Sequence, residues 1–321
     1  LSSSSAASDV YKRQIDGRLE YLVTGTRGSV AYLGFGTQSG QYGTKGGLST
    51  IGYLESDQLT YIDGKSAGPN ARFEIILSEI RPANAKNWLP LRSDPPHGLF
   101  IARQTFGDRS KEIPAKLSIE CIGGMAIPRT LTPAALDEGL QSASVFVAGA
   151  SAMFAKWANE FQSTTNQLPL FDQERSNRAG GDPNIRYYHS YWRLKPEEAL
   201  VIRARPPACR FWNFQLNNHW MESLDYRYHP VHTNSFLARP DNEAGEAGSD
   251  RPQSFTIIIA HVDPNARAGQ FVGNWISTVG HGCGTMCFRW VAPQVSDERL
   301  PHPHAALVNL DEFLNDRCDH L

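Results

Sequence analysis

No apolar run in this chain approaches the roughly 18 residues of a membrane-spanning helix, so none is expected. A basic excess is also missing. Lys and Arg number 31 against 33 Asp and Glu, a net charge of −2, which argues against a nucleic-acid partner held through phosphates. Cysteine is scarce. Cys121, Cys209, Cys283, Cys287 and Cys318 are odd in number and irregularly spaced, which excludes a disulfide framework and points to reduced thiols in a cytoplasm. His281, Cys283 and Cys287 lack a second short-spaced pair, so no zinc site is expected. A Gly-x-Ser-x-Gly elbow, a Walker phosphate loop and a His-Glu-x-x-His helix are all missing. Gly34-x-Gly36 has no third glycine at the dinucleotide spacing. Nothing here calls for a metal or an organic cofactor, and none is expected.

What the chain does have is turns and aromatics. Gly 27, Pro 20 and 10% aromatic residues favour short strands punctuated by turns. Strand–helix alternation is missing, which disfavours a doubly wound parallel sheet. Residues 1–14, LSSSSAASDVYKRQ, are of low complexity and unlike the rest. They resemble an adapter-derived, non-native tail and are set aside from the fold. The first folded unit is accordingly expected to be incomplete at its N-terminal end.

A faint internal repeat runs through the remainder. Phe73–Leu77, Asn87-Trp88, then Gly98 and Arg103 recur in the same order as Phe255–Ile259, Asn274-Trp275, then Gly284 and Arg289. The reading is one β-rich unit duplicated. Between the copies, Thr132 is a candidate N-cap with Pro133 at the first helical position. Leu136, Leu140, Ala143, Val147, Ala150, Phe154, Trp157 and Phe161 then follow at helical spacing. The fold expected is mainly β: two duplicated antiparallel β-sandwich, jelly-roll-like units, with a long helical insert between them and a short C-terminal helix. The boundaries read are 15–127 for the first unit, 128–182 for the helix and a polar linker, 183–296 for the second unit, and 297–321 for a tail whose short helix covers Leu307, Leu310 and Phe313. Residues 241–252 read as a mobile loop tip.

Chemistry concentrates between Tyr187 and His232. On a strand from Phe211 to Trp220, Trp212, Phe214 and Leu216 point one way. Asn213, Gln215, Asn217 and His219 point the other, beside Trp220. Amides next to aromatic faces suit a polyol or amphiphile, and the same residues equally suit a hydrogen-bonded interior. An acid–base reading takes His219 or His229 as base, because imidazole titrates near neutrality. Glu222 or Asp225 would orient it, Tyr226 would line the site, and Arg193 or Arg289 would stabilise an anion.

Three stretches carry a family resemblance: Pro183-Asn-Ile-Arg-Tyr-Tyr-His-Ser-Tyr-Trp-Arg193, Phe211 to Asp225, and Gly284-Thr-Met-Cys-Phe-Arg-Trp290. Over residues 183–293 the chain resembles bacterial proteins of domain-of-unknown-function family 1214. Leu33-Gly-Phe-Gly-Thr37 and Arg103-Gln-Thr-Phe106 extend the likeness upstream. The resemblance implies two β-sandwich units with helical additions. It carries no catalytic residues to this chain. Two functions are therefore weighed: a cofactor-independent hydrolase or lyase acting on a small, polyol-like or amphiphilic substrate, favoured, and a non-catalytic carbohydrate- or lipid-binding accessory protein. A homo-oligomer seam along the 133–162 helix is a further expectation.

Overall fold

The computed structural model describes residues 8–41, 47–62, 64, 68–122, 131–179, 181–241 and 253–318. Its elements run β1 (Ser8–Asp16), β2 (Tyr21–Thr26), β3 (Tyr32–Gly40), β4 (Leu48–Glu55), β5 (Arg72–Ser78), β6 (Trp88–Pro90), β7 (His97–Thr105), β8 (Lys116–Cys121), α1 (Pro133–Phe161) and α2 (Gln173–Arg178). There follow β9 (Ile185–Arg193), β10 (Glu198–Ala204), β11 (Cys209–Leu216), β12 (His232–Asn234), β13 (Phe255–Ala260), α3 (Pro264–Ala268), β14 (Asn274–Ser277), β15 (Cys283–Pro293), β16 (His304–Asn309) and α4 (Leu310–Cys318). The chain divides into two units inside α1, between Met153 and Phe154, and Glu174–Asp182 belongs to the first unit.

The protein is mainly β, as read. The first unit has sheets β1-β7-β3-β4 and β6-β5-β2-β8; the second has β9-β15-β11-β12 and β14-β13-β10-β16. The order is the same, strand for strand. The pairs are antiparallel except β5 with β6 and β13 with β14, which are parallel in both units. Each unit buries an apolar layer between its own two sheets, as alternating strands require. In the second, Trp212 stacks on Phe288 at 5.6 Å and Phe288 meets Trp290 at 4.5 Å. Ile257 and Ile259 close that layer from the opposite sheet. In the first, Phe35 lies between Phe100 and Phe73, again one ring from each side of the layer. Each such ring contributes about 1.5–3 kcal/mol by leaving water.

The repeated Asn-Trp pairs have a physical task. Both open the short parallel strand at a sheet edge. The Asn87 side chain accepts from Thr60 N at 2.8 Å and donates to Thr60 O and Glu74 O at 2.9 and 2.8 Å. The Asn274 side chain accepts from Arg239 N at 2.8 Å and donates to Arg239 O and Thr256 O at 2.9 and 3.0 Å. One amide thus satisfies three backbone groups that a strand of three or four residues leaves unpaired.

Helix α1 begins where read. Thr132 caps it, accepting from Ala135 N at 3.2 Å through its hydroxyl. Its apolar stripe is buried only towards the C-terminal end, at Ala150 and Phe161, whereas Leu136 and Leu140 are exposed. Four readings change. Leu307 lies in β16 and pairs with Leu200, so the last helix starts at Leu310. The polar linker contains α2. The alternating strand ends at Leu216; Asn217 forms an isolated bridge with Ser223, and a turn lies between them. β1 starts at Ser8, inside the stretch set aside as a tail, and pairs with β7 along its whole length. The 241–252 tip lies, past Asp241, outside the described residues.

Replacing Asn274 with Ala strands Arg239 N and two carbonyls. The expected cost is about 1–3 kcal/mol in urea denaturation; an unchanged midpoint would show that water replaces the amide.

Candidate functional site

The outer face of the β9-β15-β11-β12 sheet is polar in register. One row runs His189, Cys287, Gln215, His232 across four strands. The next runs Tyr187, Arg289, Asn213, Asn234. The ladder Asn213, Gln215, Asn217 is buried. Arg289 Nη1 donates to Asn213 Oδ1 at 3.1 Å and Gln215 Nε2 to Asn217 Oδ1 at 2.7 Å. Aromatic rings cover the β9 side: Phe161 and Tyr187 stack on His189 at 5.4 Å each, with Phe171 edge-on at 5.2 Å. Cys287 Sγ lies 4.0 Å from His189 Nε2. Burial pushes its thiol above the ordinary range, with Arg289 opposing, so it is a poor nucleophile. His232 is held below the ordinary imidazole value by burial.

At the end of this face the strands give way to two turns, and a different cluster forms. Asn218 builds the first turn. Its Oδ1 accepts from Trp220 N at 2.9 Å and Glu222 N at 3.1 Å, and its Nδ2 donates to Glu222 Oε2 at 2.8 Å. Met221 takes a left-handed φ of 64° there, and Val279 a φ of 51° in the turn before β15. Non-glycine residues in that region carry strain, which collects at functional sites. Gly284 lets the two strands close up, since a Cβ there would collide with the Asn217 carbonyl. The first turn delivers His219 to Tyr191, and the second delivers Cys283. The Tyr191 hydroxyl lies 3.0 Å from His219 Nδ1 and donates to Cys283 Sγ at 3.3 Å. Trp220 meets His219 edge-on at 4.7 Å and is 60% exposed. Arg193 pairs with Cys283 in register and lies over the Tyr191 ring at 5.8 Å. Burial, then the hydrogen bond to Cys283, push the Tyr191 phenol up to about 12. It stays protonated at neutral pH and can relay a proton.

Of the residues read from sequence, His219, Trp220 and Arg193 meet at this corner. Asn213, Gln215, Asn217 and Arg289 form the adjoining ladder. Glu222 holds the turn through Asn218. Asp225 pairs with Arg227 at 3.0 Å, which holds its carboxyl below the ordinary range. Tyr226 and His229 are exposed. His219 thus has a phenol as its hydrogen-bond partner. Tyr191 was given no role and Cys283 was weighed only for zinc, because their approach depends on two turns and a cross-strand register. His302 lies with its Nδ1 2.9 Å from the Tyr188 hydroxyl. Among the described residues no three His, Cys, Asp or Glu side chains converge as a metal ion would require. Nor is any described helix long and apolar enough to cross a membrane.

The first unit carries two further features. Asp182, at the end of the segment read as a polar linker, is fully buried and accepts from the Tyr32 hydroxyl at 2.7 Å. Tyr32 also reaches the buried Glu55 at 3.4 Å and touches the Tyr53 hydroxyl. Burial, then Asp182 and Glu55, drive the Tyr53 phenol far above its ordinary value, with Arg103 acting the other way. Separately, a groove of about 600 Å³ is lined by Leu48, Leu99, Ala143, Phe146 and Val147, with Gln41 and Glu138 among its polar groups. Gln41 Nε2 donates to Ser142 Oγ of α1 at 3.1 Å.

Fold and site define a mainly β protein of two eight-stranded units, counted over the described residues. The chain belongs to the family of an uncharacterized protein from Burkholderia cenocepacia of known crystal structure. The two are 40% identical with a TM-score of 0.83, over 97% of this chain and 79% of that one. A protein from Vibrio parahaemolyticus shares the fold at 12% identity and a TM-score of 0.52, over 95% of this chain and 90% of the other. No family model and no curated protein matches the chain.

Because folding lowers the His232 pKa, the unfolded chain binds the proton more readily. Stability should therefore fall as pH drops below about 6.5, the unfolded value. His232→Asn should flatten this dependence in denaturation curves between pH 5 and 7 (roughly the imidazole range); an unaltered slope would assign it elsewhere.

Proposed function

We propose that the protein is a cofactor-independent hydrolase or lyase acting on a small, polyol-like or amphiphilic substrate at the Tyr191–His219 corner. The supporting observation is the Tyr191 hydroxyl held between His219 Nδ1 and Cys283 Sγ, at 3.0 and 3.3 Å. His219 is the proton acceptor and donor, since imidazole exchanges protons near neutral pH. Tyr191 takes the orienting role that sequence assigned to Glu222 or Asp225. With Nδ1–H donated to the phenol oxygen, Nε2 is left as the base. Trp220 offers an exposed ring for the apolar or ring face of a substrate, and Arg193 a guanidinium for developing negative charge. The buried ladder of Asn213, Gln215 and Asn217 supports the corner from behind.

A second reading is favoured by the groove of the first unit. Its volume falls in the range of small-molecule sites, and its lining is mostly apolar with few polar groups. That suits the tail of an amphiphile held by a binding protein. The exposed Leu136 and Leu140 suit self-association through the 133–162 helix. We further infer that the two units arose by duplication of a jelly-roll-like ancestor, that the chain belongs with family 1214, and that it works in the cytoplasm.

A panel of esters and glycosides tests the enzyme. His219→Ala should abolish turnover of any accepted substrate while leaving the melting temperature nearly unchanged, as partly exposed positions allow. Full turnover in that variant, or none by the native chain, overturns the reading. Native mass spectrometry then separates the alternatives. A co-purifying amphiphile lost on Phe146→Asp supports the binding protein, and a dimer lost on Leu140→Asp supports the helix seam.

A further inference from the structure

We propose that Cys283 is the nucleophile of this corner and that its substrate is a small activated acyl compound, an ester or thioester. The inference rests on the Tyr191–His219 reading above and extends it.

The described thiols differ in surroundings. Cys209 is pushed up to about 11 by burial, and Cys287 is fully enclosed and raised as well. Cys121 is exposed, without a side-chain hydrogen bond among the described residues. Cys283 is half-buried and is joined through one phenol to an imidazole. Its cross-strand neighbour is Arg193, so a cation lies on the same face. A thiol with an adjacent base and cation is the arrangement that activates sulfur.

The chemistry balances. The step uses the other imidazole tautomer, in which His219 carries its proton on Nε2 and Nδ1 is free: the Cys283 S–H proton passes to the Tyr191 oxygen as the Tyr191 proton passes to Nδ1. Sulfur attacks the acyl carbon, an S–C bond forms, and the carbonyl oxygen gains charge beside Arg193. The tetrahedral adduct collapses, the acyl C–O or C–S bond breaks, and the imidazolium proton goes to the leaving alkoxide or thiolate. Water then attacks the acyl-cysteine. One water proton goes to the imidazole and returns through Tyr191 to sulfur as the S–C bond breaks. The net reaction is acyl compound plus water giving carboxylic acid plus alcohol or thiol. Tyr191 is a positioning and relay group, Cys283 the catalytic one.

The test uses the full chain with p-nitrophenyl acetate and, separately, iodoacetamide. Intact-protein and peptide mass spectrometry should show one acetyl group on Cys283 early in the reaction. Iodoacetamide should alkylate Cys283 faster than Cys121 near neutral pH. Tyr191→Phe keeps the ring and removes the relay. It should slow Cys283 alkylation about tenfold or more and flatten the rate's pH dependence near neutrality, with the melting temperature retained. Cys283→Ala should lose the adduct and the turnover. Alkylation of Cys283 no faster than Cys121, or no change in Tyr191→Phe, overturns the proposal. Turnover retained in Cys283→Ala but lost in His219→Ala would also overturn it, while leaving the acid–base reading standing.

Discussion

One amide in each unit holds a join that the backbone cannot make alone. A parallel pairing needs a crossover, and in both units the added strand is only three or four residues long. Asn87 and Asn274 supply what is missing, taking one backbone N–H and giving to two carbonyls each. A loop from earlier in the chain is thereby pinned to the edge of the sheet. An amide is suited to the task, because it offers one acceptor and two donor hydrogens in one rigid plane.

The same strand order carries different chemistry in the two units. Arg103 lies opposite Gly34, and Arg289 opposite Asn213, at equivalent register. Around Arg103 the central strand has glycines, and the phenols of Tyr32 and Tyr53 occupy the freed space over Gly34. Carboxylates are held among those phenols. Around Arg289 the central strand has Asn213 and Gln215, which fill that space themselves. The arginine at this register thus faces an acidic cluster in one unit and an amide ladder in the other. Fold and chemistry separate here, as they do wherever sites are grafted on a shared scaffold.

The sequence was most legible where local pattern and packing agree. The alternation of Phe211–Leu216, the capped start of α1 and the paired Asn-Trp motifs all survive in the structure, and the repeated order of motifs anticipates the matching sheets. The ladder residues were legible because period-two alternation fixes a face. What could not be read were meetings that depend on turns. His219 was assigned a carboxylate partner by proximity in sequence, yet Asn218 takes Glu222 for the turn and presents the imidazole to Tyr191. Cys283 lies 64 residues further on and reaches the same hydroxyl only through strand register. The exposure of Leu136 and Leu140 was equally hidden, since helical spacing marks an apolar face without saying what covers it.

Asp182 bears on how such a chain is made. The carboxylate that Tyr32 grips lies 150 residues beyond it, past the whole of α1. During synthesis, the eight strands of the first unit emerge long before the carboxylate that accepts from the Tyr32 hydroxyl. Until then the Tyr32 hydroxyl has Tyr53 and Glu55 beside it and lacks its 2.7 Å acceptor, the shorter of its two carboxylate contacts. The first unit is therefore finished from behind, by a strap that arrives only as the second unit begins to leave the ribosome.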